Sequence, residues 1–235
     1  MARLFAAFIR HAEYFQLADT PSAHQPFSLT ENGIAQATKS VDPLFQFSTN
    51  NDLKIFHIAD SSHLLRAWQT THIINEQLVL EGADQLTIEC FDALAERGLG
   101  SCAANLTINQ IESLMRQDPR FTMPPPNWKS NSRYRLPFPG AESLLDAGKR
   151  VAGHVAQRME ALRHICSADT LKLFVGHGAA FRHAAYHLGI LSYDEIAKLS
   201  MFHTQPIYLE YLGRNHWRHS AGEWKIRAHQ EQAMD

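Results

Sequence analysis

The stretch TLKLFVGHG, Thr170 to Gly178, decides the fold. Leu171, Leu173, Phe174 and Val175 form an apolar run that only Lys172 interrupts. A short run of this kind bounded by glycine reads as a strand buried on both faces. It ends in Gly176-His177-Gly178, and a helix resumes at about Ala180. A second buried strand, Arg3 to Ile9, ends on another polar pair, Arg10-His11.

Between these two strands the chain alternates. LKIFHIADSS gives a strand over residues 54–59 that runs into Asp60-Ser61-Ser62. A helix over residues 63–80 follows, with Leu64, Leu65, Trp68, Ile73 and Ile74 at helical spacing. LTIEC, 86–90, is a short strand. Thr30 and Thr107 are N-caps of two further helices, and Pro119 lies beyond the end of the second. A long amphipathic helix follows AESL, with Glu142 in its first turn, where the helix dipole favours an acid. PIYLEYL and EWKIRAH read as late strands. Strands alternating with helices predict a three-layer α/β/α sandwich with a mostly parallel central sheet. Length predicts one domain over residues 1–235. Residues 121–140, proline-rich and irregular, form an insertion too long for a simple connection.

Composition removes several functional classes. The formal net charge is −2, which gives no reason to expect a nucleic-acid partner. No apolar run approaches a membrane span, and the apolar start is too short for a signal-peptide core. The three cysteines, Cys90, Cys102 and Cys166, have no CxxC spacing, which fits a reduced, cytoplasmic protein. The fourteen histidines show no HExxH or other tight ligand spacing, so neither a metal nor another cofactor is expected. Oligomeric state stays open, a homodimer included.

Ligands of open α/β sheets bind outside the carboxyl ends of the strands. If the strands are neighbours, Arg10, His11, Arg66 and His177 converge there. Two arginines and two histidines suit an anion, and guanidinium forks match phosphate oxygens. Taken singly, each histidine is as well explained by packing.

IRHAE, SSHLLRAWQTT, LAERGLG, PGAESL and LFVGHGAAFR stand in the order seen in the histidine phosphatase superfamily, which this chain resembles from about Leu4 to Gly189. The resemblance implies a phosphoglycerate mutase-like fold and a small phosphorylated substrate. It makes His11 the nucleophile that becomes phosphohistidine, with Arg10, Arg66 and His177 around the phosphoryl oxygens. It places Glu96 at the acid position, although Glu96 could instead pair with Arg97. Ser62 fits the pattern, and Glu142 becomes a pocket residue as well as a helix-start acid. The insertion resembles the substrate-covering segment of the mutases, where Arg133 and Arg135 would meet a second anionic group. His203 precedes a late strand near the implied pocket wall. Ala12 stands where many members have glycine, and the Trp-Asn pattern of glycolytic mutases is missing after RHAE. Metal-independent hydrolysis of a phosphomonoester is therefore the expected activity. A mutase-type transfer and a weakly active member that binds a phosphorylated ligand or protein are the alternatives.

Overall fold

A computed structural model describes residues 2–21 and 24–227. In chain order the elements begin with β1 (Leu4–Arg10), α1 (Glu31–Lys39), α2 (Val41–Asn50), β2 (Lys54–Ile55) and β3 (Ile58–Ser62). They continue with α3 (Leu65–Leu80), β4 (Thr87–Phe91), α4 (Ile108–Gln117), α5 (Leu144–Ile165) and β5 (Thr170–Gly176). The last are α6 (Gly178–His187), α7 (Tyr193–Lys198), β6 (Leu199–Ser200), β7 (Ile207–Gly213), β8 (His216–Ala221) and β9 (Lys225–Ile226).

The central sheet runs β4-β3-β5-β1-β7-β8, with β2 also on β5. The pairs β4-β3, β3-β5, β2-β5 and β5-β1 are parallel, and β7 and β8 are each paired antiparallel to the preceding strand. The sheet is thus mixed, parallel at its centre. Along β1, Leu4, Ala6 and Phe8 join one apolar core, which holds Val151, Val155 and Met159 of α5 and Phe181 of α6. Phe5, Ala7 and Ile9 join the other, with Leu44 of α2 and Ile74 and Leu78 of α3. Alternate side chains leave a strand on opposite faces, so a strand apolar at every position needs a layer of helices on each side.

Three local readings change. The strand expected over residues 54–59 is two strands. Ile55 pairs with Leu171 and Asp60 with Phe174, so five residues pass on one side while three pass on the other. The surplus around Phe56 and His57 leaves the ladder and shifts the second strand on to Ser62. EWKIRAH supplies only β9, which pairs with β6 outside the main sheet, and its last two residues lie outside the described ones. The edge position goes to β8, whose polar sequence and mostly exposed residues hide it from a search for apolar alternation. Arg214 and Asn215, both at positive φ, make the tight hairpin turn that sends β8 back along β7. Finally α7 begins with a capping box, Ser192 with Glu195, a signal present in the sequence.

The one polar interruption in TLKLFVG has a structural cause. Lys172 is buried and donates to Asp60 Oδ1 (2.7 Å) and to the Ile58 carbonyl (2.9 Å). Asp60, fully buried, also takes Arg158 on both oxygens and the His154 ring on Oδ2. Burial alone would raise the Asp60 pKa. Hydrogen bonds from His154, Lys172 and Arg158, with the charge of Lys172, outweigh burial and hold the carboxyl below its ordinary value. The network ties β3, β5 and α5 together beneath the sheet's carboxyl edge. Lys172→Met leaves a buried carboxylate with one fewer partner and is expected to cost about 3–5 kcal/mol. A shift in the urea unfolding midpoint measures this, and an unchanged midpoint would remove the network from the stability of the fold.

Candidate active site

Parallel pairing of β1 with β5 sets Arg10 beside Gly176, and the His11 N–H donates to the Gly176 carbonyl (2.9 Å). His11 and His177 therefore leave adjacent strands at the same edge, with ring centroids 5.1 Å apart. Arg66 arrives from the first turn of α3, 1 % exposed. Its Nε donates to His11 Nε2 (3.2 Å), Nη1 to the Gln25 carbonyl (3.2 Å) and Nη2 to His177 Nδ1 (3.1 Å). The same guanidinium lies over the Tyr14 ring, 4.5 Å from its centroid.

Because a guanidinium only donates, these contacts fix both tautomers. His11 Nε2 and His177 Nδ1 must accept. His11 then carries its proton on Nδ1 and donates to the Ala12 carbonyl (2.7 Å). His177 carries its proton on Nε2 and donates to Ser62 Oγ (2.9 Å). Ser62 thus positions His177, and its Oγ also accepts the Leu64 N–H at the start of α3 (3.3 Å). Thr70, one turn after Arg66, accepts the Ala12 N–H (3.0 Å) and donates to the Arg66 carbonyl (2.7 Å).

A cavity of about 300 Å³ opens over this edge. Arg10, His11, Glu96 and His203 line it. Arg66, His177 and Ser62 are buried next to His11 and do not themselves line the cavity. The Arg10 guanidinium is aimed by the Met201 carbonyl (2.8 Å). A Cβ on Gly178 would stand 2.9 Å from Arg10 Cδ, so glycine there leaves room for the arginine to pass. Glu96 sits on the loop after β4, with Oε1 held by the Arg97 N–H (2.9 Å).

Three expected contacts fall elsewhere. Glu142 does not line the cavity: it forks onto Arg150 (2.8 and 2.7 Å) and accepts the Gly98 N–H (3.0 Å). Arg150 also donates to the Ala93 and Ala95 carbonyls, so this ion pair shapes the loop that carries Glu96. Arg133 is exposed and lies over Tyr193, donating to its hydroxyl (3.3 Å). Arg135 is exposed, near Asp146. No described residue of 121–139 lines the cavity. This segment instead packs Trp128, Leu136 and Phe138 against Ile111 and Met115 of α4, so its apolar residues are spent on a small core of its own. Conversely, Tyr14, Arg97, Lys225 and Arg227 line the cavity and were not singled out from sequence. Only Arg97 had a local signal, its place beside Glu96. Among the described residues no cluster of three or more potential metal ligands occurs, and no helix is long and apolar enough to cross a membrane.

The sequence profile described as histidine phosphatase superfamily (branch 1) matches residues 6–225. The chain belongs to the histidine phosphatase superfamily. A 2,3-bisphosphoglycerate-dependent phosphoglycerate mutase of Rhizobium meliloti is 29% identical over 178 residues, 74% of this chain and 73% of the mutase. The mycobacterial glucosyl-3-phosphoglycerate phosphatase shares the fold, with a TM-score of 0.66 at 18% identity, over 97% of this chain and 99% of that one. So does a phosphoglycerate mutase of Bacillus anthracis, with a TM-score of 0.68 at 15% identity, over 94% and 92%. In this member of the superfamily the edge of the sheet concentrates positive charge around two buried neutral rings.

That charge has a measurable consequence. Burial, then Arg66, His177, Arg10 and His203, hold the His11 pKa well below its ordinary value. Burial and Arg66 do the same for His177, and burial with Arg10 lowers His203 to about 4. The unfolded chain therefore binds protons that the folded chain refuses once pH drops below about 6.5. Each histidine then removes up to about 1.4 kcal/mol of stability per pH unit until its folded pKa is reached. Melting temperature should fall between pH 7 and pH 5, and less so in His203→Gln. Equal melting temperatures at both pH values would contradict the neutral, buried state of these rings.

Proposed function

We propose that this protein is a phosphatase that hydrolyses a small phosphomonoester through a phosphohistidine on His11. The observation that carries this reading is the fixed tautomer of His11. Its proton is held on Nδ1 by the Ala12 carbonyl, and its Nε2 lone pair points at the Arg66 guanidinium beside a cationic cavity. The low pKa keeps that lone pair unprotonated at neutral pH.

A phosphoryl group entering the cavity takes its oxygens to Arg10, and Arg66 gives up its hydrogen bond on His11 Nε2 for a phosphoryl oxygen, which frees that lone pair. His11 Nε2 attacks phosphorus, forming a P–N bond as the ester P–O bond breaks. Glu96, in its protonated form, gives that proton to the departing oxygen. A water then attacks phosphorus and passes its proton to Glu96, the P–N bond breaks, and inorganic phosphate leaves. Charge that develops on the equatorial oxygens meets Arg10, Arg66 and His177. These side chains supply the neutralisation, so turnover should persist in the presence of a chelator.

A second reading, transfer of a phosphoryl group between phosphoglycerate positions, is supported by the similarity to the Rhizobium mutase. It requires interconversion of 2- and 3-phosphoglycerate, which a coupled assay detects.

Aryl phosphate hydrolysis tests the first reading. Wild type should turn over with EDTA present and show an acid-labile, base-stable phosphoenzyme on rapid quenching. His11→Asn should lose at least a thousandfold in kcat and the phosphoenzyme with it. Retained turnover in that variant would move the nucleophile elsewhere. Gly178→Ala, which crowds Arg10, should lower kcat/KM about tenfold with little change in melting temperature. An unaltered kcat/KM would separate Arg10 from the reaction.

A further inference from the structure

β9 is built inside out. Its apolar residue, Ile226, is 79% exposed, whereas Lys225 is half-buried and Arg227, the residue after the strand, is 7% exposed. Lys225 and Arg227 flank the outward-facing Ile226, and both line the cavity. Burying cations while exposing isoleucine opposes the ordinary sorting of side chains, and such violations concentrate where function requires them. Arg227 is also a placed group. Its N–H donates to the Lys198 carbonyl (2.9 Å) and its Nη1 reaches the Ala197 carbonyl (3.4 Å), both at the end of α7.

The ribbon of β6 and β9 sets Lys225 opposite Ser200, and Ser200 to His203 continue along the cavity wall. The charge of Lys225 acts on the His203 ring, which lies 5.6 Å from the His11 ring. Lys225 is therefore one side chain removed from the nucleophile. Among the described residues that line the cavity, four cations (Arg10, Arg97, Lys225 and Arg227) face two carboxylates. One of those, Glu13, is occupied by Thr30 Oγ1 (2.8 Å) and Asn32 Nδ2 (2.9 Å). A single phosphoryl group on Arg10 and Arg66 fills only part of a cavity of about 300 Å³. That volume is at the small end of small-molecule sites.

We propose that Lys225 and Arg227 form a second anion subsite, so that the substrate is a short phosphomonoester bearing another anionic group, carboxylate or phosphate. The subsite lies on the β6–β9 ribbon, not on the 121–140 insertion where Arg133 and Arg135 stand. This inference rests on the phosphoryl group binding at His11, as proposed above.

A matched set of compounds tests it. Glycerol 3-phosphate and 3-phosphoglycerate differ by one hydroxymethyl against one carboxylate, and propane-1,3-diol bisphosphate carries phosphate instead. Titration calorimetry on His11→Asn, which cannot turn them over, should show both doubly anionic compounds binding at least tenfold tighter than glycerol 3-phosphate. Adding Lys225→Met should shrink that ratio to threefold or less, and adding Arg227→Gln should do the same. Circular dichroism establishes that each variant is folded. If carboxylate alone gains, the subsite reads carboxylate; if the bisphosphate alone gains, it reads phosphate. Equal affinity for all three compounds, or a ratio that survives both substitutions, would overturn the subsite. Turnover by the wild type is read separately: a preserved affinity ratio without hydrolysis would remove the phosphatase reading and leave the subsite standing.

Discussion

The register of β1 against β5 is the constraint on which the rest depends. It sets Arg10 opposite Gly176 and lets His11 donate to the Gly176 carbonyl. A slip of one residue would turn every apolar side chain of β1 to the wrong layer, so two cores jointly fix the pairing. The same pairing delivers two histidines to one edge, and it is therefore maintained by hydrophobic burial rather than by the polar groups it presents. Precision at the site is inherited from the interior of the sheet.

Assembling cations at that edge has an electrostatic cost, which the structure meets with neutral rings and backbone carbonyls. Arg66 has no carboxylate among its hydrogen bonds described above. It is held instead by two imidazole nitrogens, the Gln25 carbonyl and the face of Tyr14. These partners are dipoles, so they satisfy the guanidinium without cancelling its charge. An incoming dianion then meets arginine charge that is already oriented, which is the condition for strong electrostatic stabilisation. The contrast with Asp60 is instructive. There the cations Lys172 and Arg158 neutralise a buried carboxylate, and the result is a fastening of β3, β5 and α5 with no ligand-facing charge.

Much of this was legible in the sequence because apolar runs and strand ends are local signals. Leu4 to Ile9 and Leu171 to Val175 announce a central sheet, and the polar residues that follow each run announce its functional edge. Contacts set by long-range pairing were not legible. Glu142 reads as a pocket acid in a helix's first turn. The helix starts at Leu144 with Ser143 as N-cap, so Glu142 precedes it, and Arg150, in the second turn of α5, claims it. Arg133 and Arg135 sit in a polar, proline-rich segment that looks like a cover, yet Trp128 and Phe138 draw that segment onto α4. Lys225 and Arg227 lie in a stretch whose alternation reads as an ordinary strand. Only the pairing of β9 with β6 reveals which face is inward.

That pairing also joins recognition to chemistry. The segment after β6 carries the Met201 carbonyl that aims the Arg10 guanidinium and the Thr204 N–H that donates to the Arg10 carbonyl (2.9 Å). Its His203 donates to the His11 carbonyl (2.6 Å). This short segment thus clamps the end of β1, while β6 just before it holds β9 and with it Lys225. A group that pulls on Lys225 and Arg227 pulls on a ribbon continuous with the clamp around Arg10 and His11. Binding energy gained at the ribbon is therefore available to orient the phosphoryl group, as remote contacts do when they raise kcat rather than only lower KM. The 121–140 insertion, packed on α4, has no such connection among the contacts described above. The placement of Lys225 on β9 and of Arg227 directly after it makes mechanical as well as electrostatic sense.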